Sequence, residues 1–206
     1  MSNDWLNWAR KIQAIAQSGL SFTKDKYDEE RYTELLNISA EIMSKHTNAT
    51  MTYIEDLYAN EIGYQTPKID VRGVVFKNNT LLLVQEKSDG KWALPGGFCD
   101  VGLSAAENII KEIKEEAGCI VTTERLLALL DNNKQNHPPQ AFQYYKIFIQ
   151  CKIIYQEEAS NLTETSNVGF FTKDNIPPLS TGRNTKQQIH KLFEFLNDPC
   201  KPVWFD

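Results

Sequence analysis

An α/β sandwich preceded by a small all-helical domain is the fold the sequence predicts, and three features carry that expectation. Apolar residues recur at helical spacing up to about residue 63; β-branched and aliphatic runs begin at Lys68; helical patterns return over 104–117 and 189–196. Periods of about 3.6 and about 2 therefore occupy different stretches, which argues for two domains, 1–63 and 68–206. A chain of 206 residues is long enough for both.

In the first domain Trp5, Trp8, Ala9, Ile12, Ile15 and Ala16 form one apolar stripe. Tyr32, Leu35, Leu36, Ile42 and Met43 form a second, and Met51, Ile54, Leu57 and Tyr58 a third. Gly63 is a natural helix stop, and Thr66-Pro67 forces extended backbone. A unit of about sixty residues buries three stripes poorly alone, so the helical domain is expected to pack on other protein, preferably as a homodimer. Trp5 and Trp8 are read as packing residues. A helix-turn-helix DNA reader is disfavoured by sign, because residues 1–62 hold six Lys/Arg against ten Asp/Glu, and 6 minus 10 is −4.

In the second domain the runs 69–76 and 80–85, separated by Lys77-Asn78-Asn79, predict a hairpin. Residues 121–130 and the alternating Phe142, Tyr145, Ile147, Ile149, Cys151 and Ile153 predict further strands. Ile189, Leu192, Phe193 and Leu196 mark a closing helix.

Composition narrows the function classes. A net charge of −5 without a basic cluster disfavours broad attraction to nucleic acid or anionic lipid. The N-terminus lacks the basic lead-in and apolar core of an export signal, and no apolar run approaches the roughly 18 residues of a membrane span. Cys99, Cys119, Cys151 and Cys200 are widely separated and fit neither a zinc site nor a disulfide framework, so they are read as reduced thiols. A cytoplasmic protein without a membrane partner is expected. Cys99 sits beside a glycine turn, but no histidine lies near it in sequence to activate a nucleophile.

The chemistry concentrates between Leu94 and Gly118, where a tight Pro95-Gly96-Gly97 turn leads into a helix. Ser104 and Glu107 have the spacing of a capping box. On that helix Glu112, Glu115 and Glu116 share one sector, while Ala106, Ile109, Ile113 and Ala117 share another that can pack on a sheet. Three carboxylates so close repel one another, and hard divalent cations with oxygen ligands relieve that repulsion. A solvated acidic face is the alternative.

The whole stretch resembles the Nudix box: Gly, five residues, Glu, seven residues, Arg-Glu, an aliphatic, any residue, Glu-Glu, any residue, Gly. Gly97, Glu112, Ile113, Glu115, Glu116 and Gly118 match in register, whereas Leu103 replaces the first Glu and Lys111 the Arg. The resemblance implies an α/β/α sandwich with a mixed sheet and a Mg²⁺ or Mn²⁺ cofactor. It implies metal ligation by Glu112 and Glu116, with Glu115 as a third ligand or the group that orients water, and a contribution from the Gly96 carbonyl. The usual brace between the replaced Glu and Arg is missing its acid. Asp100 pairing with Lys111, or apolar packing of Leu103, are the two substitutes.

Glu164, before a late aromatic stretch resembling the family's, is the candidate general base, against the alternative of an exposed loop carboxylate. Arg72 and Glu86 stand where relatives contact substrate, or else form surface ion pairs. His137 could shape a pocket mouth and Tyr144 stack on a base. The helical extension, the 66–72 segment, and Phe170-Phe171 through Ser180 resemble one Nudix subgroup over almost the entire chain. That resemblance implies hydrolysis of a nucleoside diphosphate-linked small molecule, first CDP-choline to CMP and phosphocholine. ADP-ribose is the second expectation, RNA ends a third, and a non-catalytic nucleotide sensor a reading from another class.

Overall fold

The computed structural model describes residues 4–156 and 164–206. Two compact units share the chain: residues up to Pro67 together with Pro139–Gln143, and Lys68–Pro138 together with Tyr144–Asp206. Among the described residues no helix is long and apolar enough to cross a membrane.

The first unit is built from α1 (Asp4–Phe22), α2 (Lys26–His46) and α3 (Met51–Ala59). Asp25 caps α2 by accepting from the N–H groups of Tyr27 and Asp28, and Thr50 caps α3 through Tyr53. The buried seam of α1 is Leu6, Ala9, Gln13, Ala16 and Gln17, rotated from the predicted stripe, so Trp8 and Ile15 stand exposed. Ala9 and Ala16 permit close helix approach, and the Gln13 amide donates to Gln17 at 2.5 Å, which satisfies polar groups inside the seam. Ser39 donates to the Ala9 carbonyl at 2.8 Å, and Trp5 stacks on His46 with ring centroids 4.8 Å apart. Phe142, expected in a strand, is instead buried in the 139–143 loop, which Arg10 holds by the carbonyls of Gln140 and Ala141.

In the second unit β1 (Lys68–Lys77) and β2 (Thr80–Glu86) form the predicted hairpin. Asn78 and Asn79 adopt φ of 49° and 61°, the successive positive values that a two-residue turn between twisted strands requires. With β3 (Trp92–Ala93), β4 (Cys119–Asp131), β5 (Tyr144–Gln156), β6 (Thr165–Phe171) and β7 (Trp204–Phe205), the described strands order as β3-β2-β1-β5-β4-β7, and β6 pairs with β2. The β1–β5 and β4–β7 pairs are parallel and the others antiparallel, so the sheet is mixed.

Pairing of β1 with β2 is confined to the turn end, Phe76 with Leu81 and Lys77 with Thr80. Toward its start, β1 is bordered by the glycine turn. Val71 N–H donates to the Gly97 carbonyl and Gly73 N–H to that of Pro95, both at 2.8 Å. Alternation along β1 then serves two cores. Val71 and Val75 pack with Ile109, Ile113 and Ala117 of α4 (Ala105–Ala117), whereas Val74 packs with Leu192, Phe193 and Phe195 of α5 (Lys186–Asn197). Gly73 sets the fit on the α4 side: a Cβ there would lie 2.5 Å from Ile113 Cδ1, so only a residue without a side chain lets the helix rest on β1.

Candidate active site

Helix α4 begins with the predicted capping box. Ser104 Oγ accepts from Glu107 N–H at 3.2 Å, and Glu107 accepts from Ser104 N–H at 2.8 Å. It ends at Gly118 with φ 62°, a left-handed stop. With both ends fixed and Ile109, Ile113 and Ala117 in the core, the acidic sector is turned toward the glycine turn.

The three glutamates occupy three different environments. Glu116 is 6% exposed and accepts from the Gly96 N–H at 2.8 Å. Burial pushes its carboxyl up to about 8, and Glu112 and Glu86 add to the shift against the Gly96 N–H and Arg72. Glu112 lies against Gly97, where a Cβ would sit 3.3 Å from its Oε2, and its carboxyl is also raised, by burial first and then by Glu115 and Glu164. Glu115 stands at the rim, half-exposed, with Lys111 Nζ 3.7 Å away. Gly96 meets this cluster through its N–H. Its φ of 136° and a hypothetical Cβ only 2.0 Å from the Val71 carbonyl explain why glycine stands there.

Around this floor the structure brings together most of the other predicted residues. Arg72 is buried, not at the surface: its Nε and Nη2 donate to Asp70 at 2.7 and 2.8 Å and its Nη1 to the Leu94 carbonyl at 3.2 Å. Glu86 is buried too and pairs with Arg183 Nε at 2.7 Å. Glu164 is exposed, its carbonyl accepting from Lys87 N–H at 3.1 Å, and its charge bears on both Glu86 and Glu112. His137 is half-buried, bonded through Nδ1 to the Thr181 carbonyl at 2.7 Å. Tyr144 stacks on Phe98 with centroids 5.4 Å apart. Cys99 is half-buried, and burial with Asp70, Glu112 and Asp100 nearby raises its thiol, the reverse of an activated nucleophile.

Residues with no local sequence signal complete the site. Asp70 accepts from Arg72 and from Lys146 Nζ at 3.3 Å; burial opposes its charge, but the two cations hold its carboxyl below the usual range. Asn184 accepts from Leu94 N–H at 2.8 Å, and Asn108 accepts from Asp100 N–H at 2.8 Å while donating to the Leu103 and Ser104 carbonyls. Thr165 Oγ1 donates to the Glu116 carbonyl at 2.7 Å and ties β6 to the end of α4.

Among the described residues no group of three His, Cys, Asp or Glu side chains already stands as a metal cage. The donor chemistry nevertheless fits a hard divalent cation. Glu112 and Glu116 offer oxygen ligands from successive turns of one helix, and both carboxyls are raised by burial and then by neighbouring carboxylates, Glu115 and Glu164 for Glu112, Glu112 and Glu86 for Glu116, which a cation would relieve.

Two family models match the chain: a UDP-X-like N-terminal oligomerisation domain over residues 3–58 and the NUDIX domain over residues 66–193. YjhB of Bacillus subtilis (strain 168), provisionally named an ADP-ribose pyrophosphatase, is 52% identical over 202 residues, spanning 98% of this chain and 97% of that protein. The crystal structure of a UDP-X diphosphatase superposes with a TM-score of 0.64 at 34% identity, covering 98% of both chains. That of an ADP-ribose pyrophosphatase from Streptococcus suis 89-1591 gives 0.62 at 42% identity, covering 68% of this chain and 100% of the other.

Proposed function

This chain belongs to the NUDIX family of hydrolases, and from that membership we propose that it cleaves a nucleoside diphosphate joined to a sugar, ADP-ribose first. CDP-choline, which the sequence resemblance put first, gives way because the relatives above carry the names ADP-ribose pyrophosphatase and UDP-X diphosphatase. A uridine-linked substrate is the second reading, supported by the 98% coverage of both chains in that superposition.

The observation that carries hydrolysis is the buried Glu116 carboxyl group clasped by the Gly96 N–H, with Glu112 beside the same turn. Glu112 and Glu116 would hold the divalent cation, Mg²⁺ or Mn²⁺, which when bound draws charge from the phosphates and acidifies a water. Glu164 is proposed to take the proton of the attacking water, with Glu115 orienting that water. The water oxygen forms a bond to phosphorus, the anhydride P–O bond breaks, and the proton rests on the carboxylate. From ADP-ribose the products are AMP and ribose 5-phosphate. Arg72, fixed by Asp70, supplies positive charge beneath the phosphates, and the Tyr144–Phe98 stack is proposed as a base platform.

A turnover screen with Mg²⁺ or Mn²⁺ tests this reading against ADP-ribose, UDP-sugars, CDP-choline and RNA. Preferential turnover of ADP-ribose is expected; preference for CDP-choline or RNA overturns the substrate, and no turnover of any compound favours a nucleotide sensor. A homodimer through the helical unit belongs to the same proposal. It is supported by the oligomerisation-domain match and by exposed Ile15, Phe22 and Tyr64 around a groove of about 610 Å³. Sedimentation equilibrium returning a monomer would remove it.

A further inference from the structure

Strand β6 begins with an irregularity beside the candidate site. Gln85 of β2 pairs with Asn167, but its neighbour Glu86 pairs with Thr165, so Ser166 is an extra residue on β6. Farther along the strand, Val168 and Phe170 pack in the core that α4 covers. Unbroken alternation would send Ser166 to that face and Thr165 to the other. With the extra residue, Ser166 and Asn167 are both exposed and Thr165 turns inward, 1% exposed.

The inward turn gives Thr165 a partner on the helix that carries the metal candidates. Its Oγ1 donates to the Glu116 carbonyl at 2.7 Å. That carbonyl lies in the last turn of α4, beyond the reach of the helix's own N–H groups, and the Gly118 N–H goes to Lys114. The same stretch is tied to β2 from its other side, where Lys87 N–H donates to the Glu164 carbonyl at 3.1 Å. Glu164 therefore sits between two anchors: its own carbonyl is held to β2, and the side chain after it is held to α4. Its side chain stays exposed, and its charge bears on Glu112.

Satisfying one helix-end carbonyl takes only a donor, and water at a helix end can serve. The bulge adds register, because it joins the residue after Glu164 to Glu116, whose side chain would hold the cation. We propose that Thr165 is a positioning residue for hydrolysis: its bond to the Glu116 main chain sets Glu164 at a fixed reach from the cation-binding glutamates. The inference rests on the reading of Glu164 as the group that takes the water's proton. A misplacement of about 1 Å can cost about a hundredfold in rate, so one buried hydroxyl is enough to matter.

Steady-state turnover of ADP-ribose with Mg²⁺ by single and double variants tests the role. Thr165→Val keeps the shape and removes the donor, and kcat should fall about tenfold or more with KM within about twofold. Thr165→Ser, which restores the hydroxyl, should regain most of the rate. Glu164→Gln should lower kcat by about a hundredfold or more. Adding Thr165→Val to it should cost less than about a further twofold, because residues that act as a unit lose their effect once. The Tm rise with Mn²⁺ should persist in Thr165→Val. Wild-type kcat in Thr165→Val, no recovery in Thr165→Ser, a full further loss in the double variant, or loss of the Mn²⁺ shift overturns the positioning role. Should Thr165→Val fail to fold, Thr165→Ala takes its place. Wild-type kcat in Glu164→Gln sinks the base assignment and the inference together, whereas a slow Glu164→Gln beside a fully active Thr165→Val sinks the inference alone.

Discussion

Lys111 reaches back across the turn preceding its own helix to Asp100, Nζ to Oδ2 at 2.8 Å. Of the two substitutes expected for the missing family brace, the ion pair is the one observed; Leu103 is 41% exposed. Asp100 is also held by its N–H, which donates to Asn108. The pair is solvent-exposed, so its contribution lies in fixing the turn rather than in global stability. Asp100→Ala should lower kcat several-fold with little change in Tm, and adding Leu103→Glu should recover part of the loss. Unchanged kcat in Asp100→Ala would show that the turn holds without a brace.

Glu116→Gln separates charge from hydrogen bonding. The amide oxygen can still accept from the Gly96 N–H, but the raised carboxyl that a bound cation would ionise is replaced by a neutral amide. Turnover should fall by about two orders of magnitude or more, while Tm in the absence of cation is maintained or raised. Added Mn²⁺ should raise the Tm of wild type and not of the variant, by linkage to a site that only the native state offers. Full activity in Glu116→Gln would remove it from the metal set.

Gly96→Ala should be among the most damaging single-methyl additions. The new Cβ would meet the Val71 carbonyl at 2.0 Å with φ at 136°, so both space and backbone oppose it. A loss of about 3 kcal/mol or more is expected in urea unfolding. Gly90→Ala is the control, because its Cβ meets nothing within 4 Å and only its φ of 68° is unfavourable. Equal losses for the two would refute the clash.

His137 also makes stability depend on pH. Burial first, with Lys146 and Arg72 adding and the Thr181 carbonyl opposing, holds its imidazole down to about 4 from an ordinary value of 6.5. Between those values the unfolded chain binds a proton that the native state refuses. The contribution is therefore fully present above pH 6.5 and is lost as pH falls through 4, with a slope of at most about 1.4 kcal/mol per pH unit. The difference in unfolding free energy between wild type and His137→Phe should shrink or reverse across this window; a constant difference would contradict the buried neutral state.

What the sequence disclosed was local. Asn78-Asn79, Ser104 with Glu107, and the Glu112 and Glu116 spacing are all readable within a few residues, and the structure keeps each of them. Lys146 and Asp70 are 76 residues apart, and Asn184 and Leu94 are 90 apart. Such pairs leave no periodic trace, because the sheet register that joins them is set by the whole fold. Arg72 and Glu86 were legible as candidates but not as buried ones, since burial depends on the partners Asp70 and Arg183. The α1 seam rotated away from Trp8 for a related reason: periodicity counts bulk, whereas helix contact favoured Ala9, Ala16 and a self-satisfied glutamine pair.

The bonds that fasten Pro95 and Gly97 to Gly73 and Val71 are made by main-chain atoms alone. They hold regardless of which side chains β1 carries outward, so the register of the hydrolytic turn is insulated from much of the substitution that a lineage accumulates. The rim, by contrast, is written in side chains: Glu164, His137, Arg183 and the Tyr144–Phe98 pair. Evolution, or a designer seeking a new leaving group, can therefore exchange the vocabulary of recognition at the rim while the grammar of cleavage beneath it stays fixed.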